Sequence, residues 1–201
     1  MTNHQERTLL LHVGFGKTGS SSLQQWCLRH HAALGQRGLI YALPNGEIGK
    51  SGNGHLLLEA MQTCDSTPVW LQPEAKAVSQ YLFSREHLAR ELSDPQISAD
   101  FFQYLGSTLG FQRIEVLLFI RNPIEHCFSL WAQKVKAAGE IRSLRDFSQS
   151  YDSLRMVTRL IDSLQPLDCS LRVLNYAKVR RSLLSTFQQW ILSSVDSQSS
   201  L

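Results

Sequence analysis

The chain has 201 residues, of which 43% are hydrophobic and 18% charged, with a formal charge of +3 and a pI near 8.7. That length suits one domain over residues 1–201 with a two-sided core, and the composition excludes a disordered or low-complexity chain. The charge is too small for a non-specific nucleic-acid binder, so no nucleic-acid partner is expected, yet it is enough for a site that takes a small anion.

Short β-rich runs alternate with longer helical ones, the pattern of an α/β domain with three layers and a mostly parallel sheet. Residues 9–15 form the first expected strand, 16–19 a glycine loop, and 20–34 a helix stopped by Gly35. A short strand over 39–42 ends at Pro44, Asn45 and Gly46, and residues 49–54 have the composition of a flexible loop. A helix follows over 55–62, then a strand over 78–83 leading into a helix that begins near Ser84. Another helix is expected over 101–109, ending at Gly110, before the apolar run 116–120, the clearest buried strand. Arg121-Asn122-Pro123 then turns into a helix reaching towards Ala138, with Pro123 suited to its first turn. A helix over 151–164, a strand over 171–174 and a helix over 179–191 complete the pattern before a serine-rich, fraying end.

The four cysteines, Cys27, Cys64, Cys127 and Cys169, stand far apart with no zinc-type spacing to histidine, so reduced thiols and no metal are expected. The apolar run 9–13 is too short for a signal segment or a membrane span, which implies a cytoplasmic protein with no membrane partner.

Gly14-Phe15-Gly16-Lys17-Thr18-Gly19-Ser20-Ser21-Ser22 sits between a strand and a helix. There backbone N–H groups converge with the positive end of a helix dipole, which makes an anion site. Gly16 and Gly19 allow a sharp turn and close approach, Lys17 supplies a positive charge, and the hydroxyls of Thr18, Ser20, Ser21 and Ser22 supply donors. A serine-capped helix after a glycine turn would look similar, but the lysine favours phosphate. The earlier glycine of the nucleotide-hydrolase loop Gly-x-x-x-x-Gly-Lys-Ser/Thr is absent in this register, which disfavours ATP and GTP.

The segment from Gly16 to Ser22 resembles the loop Pro-Lys-Thr-Gly-Thr-Thr-Ser of the sulfotransferase family, with glycine for proline and serines for the threonines. The resemblance implies binding of the 5′-phosphosulfate end of 3′-phosphoadenosine 5′-phosphosulfate. A second match is Arg121-Asn122-Pro123 with Ser129, eight residues after Arg121. An arginine fork suits a doubly charged phosphate, whereas a nucleotide hydrolase carries an aspartate for Mg²⁺ at such a strand end. In the family this pattern holds the 3′-phosphate, which implies that role for Arg121 and Ser129. The likeness runs from about residue 9 to 190 and includes Tyr176. Relatives often continue further, which implies a reduced donor site.

Sulfuryl transfer needs charge stabilisation on the leaving phosphate and a base for the acceptor proton. Lys17 fits the first role. For the second, Glu86 in Ser84-Arg85-Glu86 and His55 after a glycine-containing loop both resemble positions that relatives use. Glu86 could equally be an acidic residue in a first helical turn capped by Ser84. Trp70, Trp131 and Tyr81 are candidates either for stacking on a sugar ring or for the core. The expected partner is a small-molecule or carbohydrate acceptor. Two other readings remain open at this point: a nucleotide-dependent kinase or other phosphoryl transferase, and a donor-binding protein without turnover.

Overall fold

In the computed structural model, residues 6–43, 52–71 and 80–196 are described. Every residue of Thr8–Val13 (β1) is buried, as befits a strand covered on both faces. It lies between Gln80–Arg85 (β3) and Arg113–Ile120 (β4), with Leu39–Ile40 (β2) and Ser170–Asn175 (β5) outermost. All pairings in this five-stranded sheet, ordered β2-β3-β1-β4-β5, are parallel. The helices between them are Ser20–Gly35 (α1), His55–Gln62 (α2), Leu88–Glu91 (α3), Pro95–Gln103 (α4), Pro123–Ala138 (α5), Leu144–Gln149 (α6), Ser153–Leu164 (α7), Tyr176–Val179 (α8) and Leu183–Asp196 (α9).

Alternation along β1 divides the core in two. Leu9, Leu11 and Val13 join Tyr81, Phe83, Val116 and Leu118 under α2, α3, α4 and α7. Leu10 joins Leu82, Leu117 and Phe119 under α1 and α9, where Phe187 and Trp190 are almost fully buried. Burying a ring of that size contributes roughly 1.5–3 kcal/mol. Polar bonds fix α9 as well: Ser194 Oγ donates to Glu115 Oε2 (2.6 Å), and Gln80 Nε2 donates to the Ser194 carbonyl (2.9 Å). This three-layer α/β arrangement is the expected one. No described helix is long and apolar enough to cross a membrane.

Several boundaries differ from the sequence pattern for identifiable reasons. β3 runs on through Ser84 and Arg85, and α3 starts only at Leu88. Ser84 is therefore a buried strand residue and not a helix cap, and Glu86 sits in the turn between them. α4 begins at Pro95, six residues before the expected start, because Asp94 accepts from the Gln96 and Ile97 amides and Pro95 opens the first turn. It continues into a wider π-type turn over Tyr104–Thr108. α6 is a helix that the sequence pattern does not announce, and Ser143 caps it by accepting from the Asp146 amide. The start of the strand expected at 78, the breakers Pro44, Asn45 and Gly46, and the serine-rich end lie outside the described residues.

Below the carboxyl end of the sheet lies a buried polar network. His12 Nδ1 is 2.8 Å from Ser84 Oγ, which also accepts from Gln24 Nε2 (3.2 Å). The Ser84 amide donates to Asn53 Oδ1, and Asn53 Nδ2 donates to the Ala42 and Leu82 carbonyls. The His12 ring is wedged edge-on between Phe119 and Phe187, and its Nε2 has no partner among the described residues. Burial pushes its pKa down to about 4. In the unfolded chain the ring takes up a proton near the ordinary value of about 6.5, so the folded state binds fewer protons between these limits. The contribution is fully present above about pH 6.5 and is lost as pH falls towards 4, with a total of roughly 3 kcal/mol. Urea unfolding at a series of pH values should show that loss, and a His12→Leu variant should lack this component whatever its absolute stability. An identical pH dependence in both proteins would contradict a neutral, buried His12.

Candidate functional site

The chain leaves β1 into the loop with two left-handed residues, Lys17 at φ 65° and Gly19 at φ 82°. Thr18 is fully buried and its hydroxyl donates inward to the Phe15 carbonyl, so it fixes the loop's shape. Gly19 precedes α1 without a side-chain cap, and its carbonyl accepts from the Ser22 and Leu23 amides. The amides of Ser20 and Ser21 precede the first intrahelical donors and remain for an anion. Ser20 Oγ is buried at the same place without a partner among the described residues. Ser21 and Ser22 face solvent.

The neighbouring strands deliver the remaining groups. The Gly14 amide donates to the Arg85 carbonyl (2.8 Å), and a Cβ at Gly14 would lie 2.5 Å from Glu86 Cα, so only glycine lets the two backbones approach. That contact sets Glu86 over the loop, with Oε1 3.4 Å from where a Gly16 Cβ would stand. From β4, Arg121 Nη1 donates to the Lys17 carbonyl (3.4 Å), while Nε donates to Glu125 Oε2 (3.3 Å). The guanidinium lies 5.7 Å from the centre of the Tyr176 ring, which begins α8 just past β5.

α5 brings a residue that the sequence did not single out. Asn122 caps this helix by accepting from the Ile124 and Glu125 amides, and His126 lies on its next turn, 2% exposed. His126 Nε2 is 2.8 Å from the Gly16 carbonyl, which can only accept, so the proton is on Nε2. In the neutral ring Nδ1 then accepts from the Tyr151 hydroxyl at 2.7 Å. Burial holds this imidazole below the usual histidine range, with the Arg121 and Lys17 charges adding and the Gly16 bond opposing. The ring also stacks on Phe15 at 4.4 Å. The available signal was helical spacing, because His126 precedes Ser129 by three residues on one face of α5. Nothing in the sequence marks Tyr151.

A cavity of about 770 Å³ opens beside the loop, lined by Gly16, Lys17, Glu86, His126, Lys134 and Tyr151 among others. Glu86 thus shares a wall with Lys17. His55 opens α2 near the end of β3, where the Gly54 amide donates to the Ser84 carbonyl, and its Nδ1–H donates to the Gly52 carbonyl at 2.9 Å. It is not among the described residues lining that cavity. Ser129 is half-buried, one turn beyond His126. Tyr81 is wholly in the core, Trp70 packs against it, and Trp131 Nε1 donates to the Arg142 carbonyl, whereas Phe15, Phe147, Tyr151 and the imidazoles of His87 and His126 are the rings that line the cavity among the described residues. No group of three or more His, Cys, Asp or Glu side chains that could hold a metal occurs among the described residues.

No protein-family model matches the chain, and no curated protein matches it in sequence. Among solved structures, a sulfotransferase from Alicyclobacillus acidocaldarius is similar at 16% identity and a TM-score of 0.49, over 90% of this chain and 77% of that one. What the site can do is decided by its own side chains.

The two loop glycines should respond differently to substitution. A Cβ at Gly19 would lie 2.4 Å from Leu183 Cδ2 on a left-handed backbone, whereas one at Gly16 meets only ordinary contacts. Gly19→Ala should therefore cost at least about 1–2 kcal/mol in urea unfolding, and Gly16→Ala much less. Equal losses would contradict the loop geometry.

Proposed function

We propose that this chain is a sulfotransferase, moving a sulfuryl group from 3′-phosphoadenosine 5′-phosphosulfate to a hydroxyl or amine of a small-molecule or carbohydrate acceptor. The observation that carries this reading is the meeting of Lys17, Glu86 and Arg121 at the carboxyl ends of adjacent strands, around a helix N-terminus where the buried Ser20 hydroxyl has no partner among the described residues. Ligands of parallel sheets bind outside these strand ends.

The residues fit the donor's anionic groups. The amides of the loop from Gly16 to Ser22 and the Ser20 hydroxyl would hold the 5′-phosphosulfate end, and Arg121 with Ser129 the 3′-phosphate. Arg121 would have to exchange its Glu125 partner, but Glu125 is half exposed and such a pair is worth less than about 1 kcal/mol. The donor supplies an electrophilic sulfur: the acceptor atom bonds to it as the sulfur–oxygen bond to phosphate breaks, leaving the electron pair on that phosphate oxygen. Lys17 Nζ neutralises the developing charge there. Glu86, on the same cavity wall, takes the acceptor's proton. His126 holds the Gly16 carbonyl and so keeps the loop's shape during the exchange. His55 is the alternative base.

A thermal-shift panel without metal tests the assignment. 3′-Phosphoadenosine 5′-phosphate at about a hundred times its Kd should stabilise the fold by roughly 2.7 kcal/mol, and adenosine monophosphate by less. Glu86→Gln should keep that shift while transfer falls about a hundredfold or more. A larger response to ATP with Mg²⁺ would favour phosphoryl transfer instead, and full activity in Glu86→Gln with none in His55→Asn would pass the base role to His55.

A further inference from the structure

The cavity beside the loop carries an excess of positive charge. Lys17, Arg90, Lys134 and Arg159 line it, against the carboxylates of Glu86 and Asp152. These cations arrive from four separate places, the loop after β1, α3, α5 and α7, so the cluster is not one helix's solvated face. Elsewhere, Arg85 pairs with Glu91, Arg113 with Glu115, Arg121 with Glu125 and Arg142 with Glu140. Lys17, Arg90, Lys134 and Arg159 have no such ion pair among the described residues, and Asp152 leans towards Arg155 (3.9 Å). The Lys134 ammonium lies instead 5.3 Å from the centre of the Phe147 ring.

Charge gathered in a concave wall acts differently from charge spread over a surface, because low-dielectric walls focus the field and raise the local concentration of anions. Part of this wall is apolar, with Phe15, Phe147 and Met156, while Gln133, Ser150 and Tyr151 provide neutral polar groups. Its volume of about 770 Å³ lies in the range of small-molecule sites, about 300–1,000 Å³. With Lys17 engaged by the donor and Glu86 by the acceptor's proton, Arg90, Lys134 and Arg159 face one remaining carboxylate, Asp152.

Resting on the transferase reading for which group is modified, we infer that this cavity takes an acceptor that is itself anionic: a sugar-sized hydroxyl compound bearing a carboxylate, sulfate or phosphate beside the reacting group. Arg90, Lys134 and Arg159 bind the anion, the aromatic wall packs on the ring's apolar face, and the acceptor hydroxyl is left to Glu86.

Methyl β-D-glucuronide and methyl β-D-glucoside, which differ only in a carboxylate for a hydroxymethyl group, test this. Their affinities are measured by ligand-observed NMR on the full chain with 3′-phosphoadenosine 5′-phosphate present. The glucuronide should bind at least tenfold more tightly at roughly 20 mM salt, with the gap narrowing as salt is raised. Combining Arg90→Ala, Lys134→Ala and Arg159→Ala, all at exposed positions, should abolish the gap while leaving the melting temperature and the nucleotide-induced shift unchanged. Equal affinities in the wild type, no detectable glucuronide binding, or a preference that survives in the triple variant would overturn the inference. A wild type that prefers the glucuronide yet shows no nucleotide shift would leave the anionic cavity standing and remove the sulfuryl-donor reading.

Discussion

Parallel pairing of β1 with β3 on one side and β4 on the other puts Val13 level with both Arg85 and Leu118. With both faces of β1 buried, this register is strongly specified, since a one-residue slip would exchange the residues packed in its two cores and take His12 away from Ser84. Past the ends of β1 and β4, the Arg121 guanidinium reaches the Lys17 carbonyl. One residue beyond Val13 and Arg85, Gly14 and Glu86 touch through backbone atoms. The ends of three adjacent strands thus bring a lysine, a carboxylate and an arginine towards the N-terminus of α1.

The loop is held from below and from the side by groups with no free conformational choice. Beneath it, His12, Ser84, Gln24 and Asn53 share a buried network that joins β1, α1, β3 and the turn before α2. Beside it, His126 clamps the Gly16 carbonyl and is itself bonded to Tyr151, so α5 and the turn before α7 are coupled to the loop's conformation. Such support matters because Gly16, unlike a proline, does not stiffen the chain by itself. A preorganised loop needs less rearrangement when an anion arrives.

Much of this was legible in the sequence because local rules decide it. The strand–loop–helix around Gly16 and Lys17 follows from an apolar run, two glycines and a serine-rich helix start, and the start of α5 follows from Asn122-Pro123. Ser84 reads locally as a helix cap because it precedes charged residues, whereas pairing with β1 draws the strand two residues further. The Asp94-Pro95 and Ser143-x-x-Asp146 caps are local signals too, and they start α4 and α6. By contrast, the bond between His126 and Tyr151 and the convergence of Arg90, Lys134 and Arg159 depend on how α3, α5 and α7 pack around the sheet, which no local pattern encodes.

The central claim is that two phosphate groups of one nucleotide are read by the loop and by Arg121 separately. Titration calorimetry of 3′-phosphoadenosine 5′-phosphate and of adenosine 5′-phosphate, each against wild type and Arg121→Ala, tests it most directly. The substitution should weaken the 3′-phosphorylated nucleotide by about 1.5–3 kcal/mol, the worth of a charge-assisted hydrogen bond, while leaving adenosine 5′-phosphate nearly unaffected. Equal weakening of both would mean that Arg121 acts only through its bond to the Lys17 carbonyl, and would contradict a 3′-phosphate site.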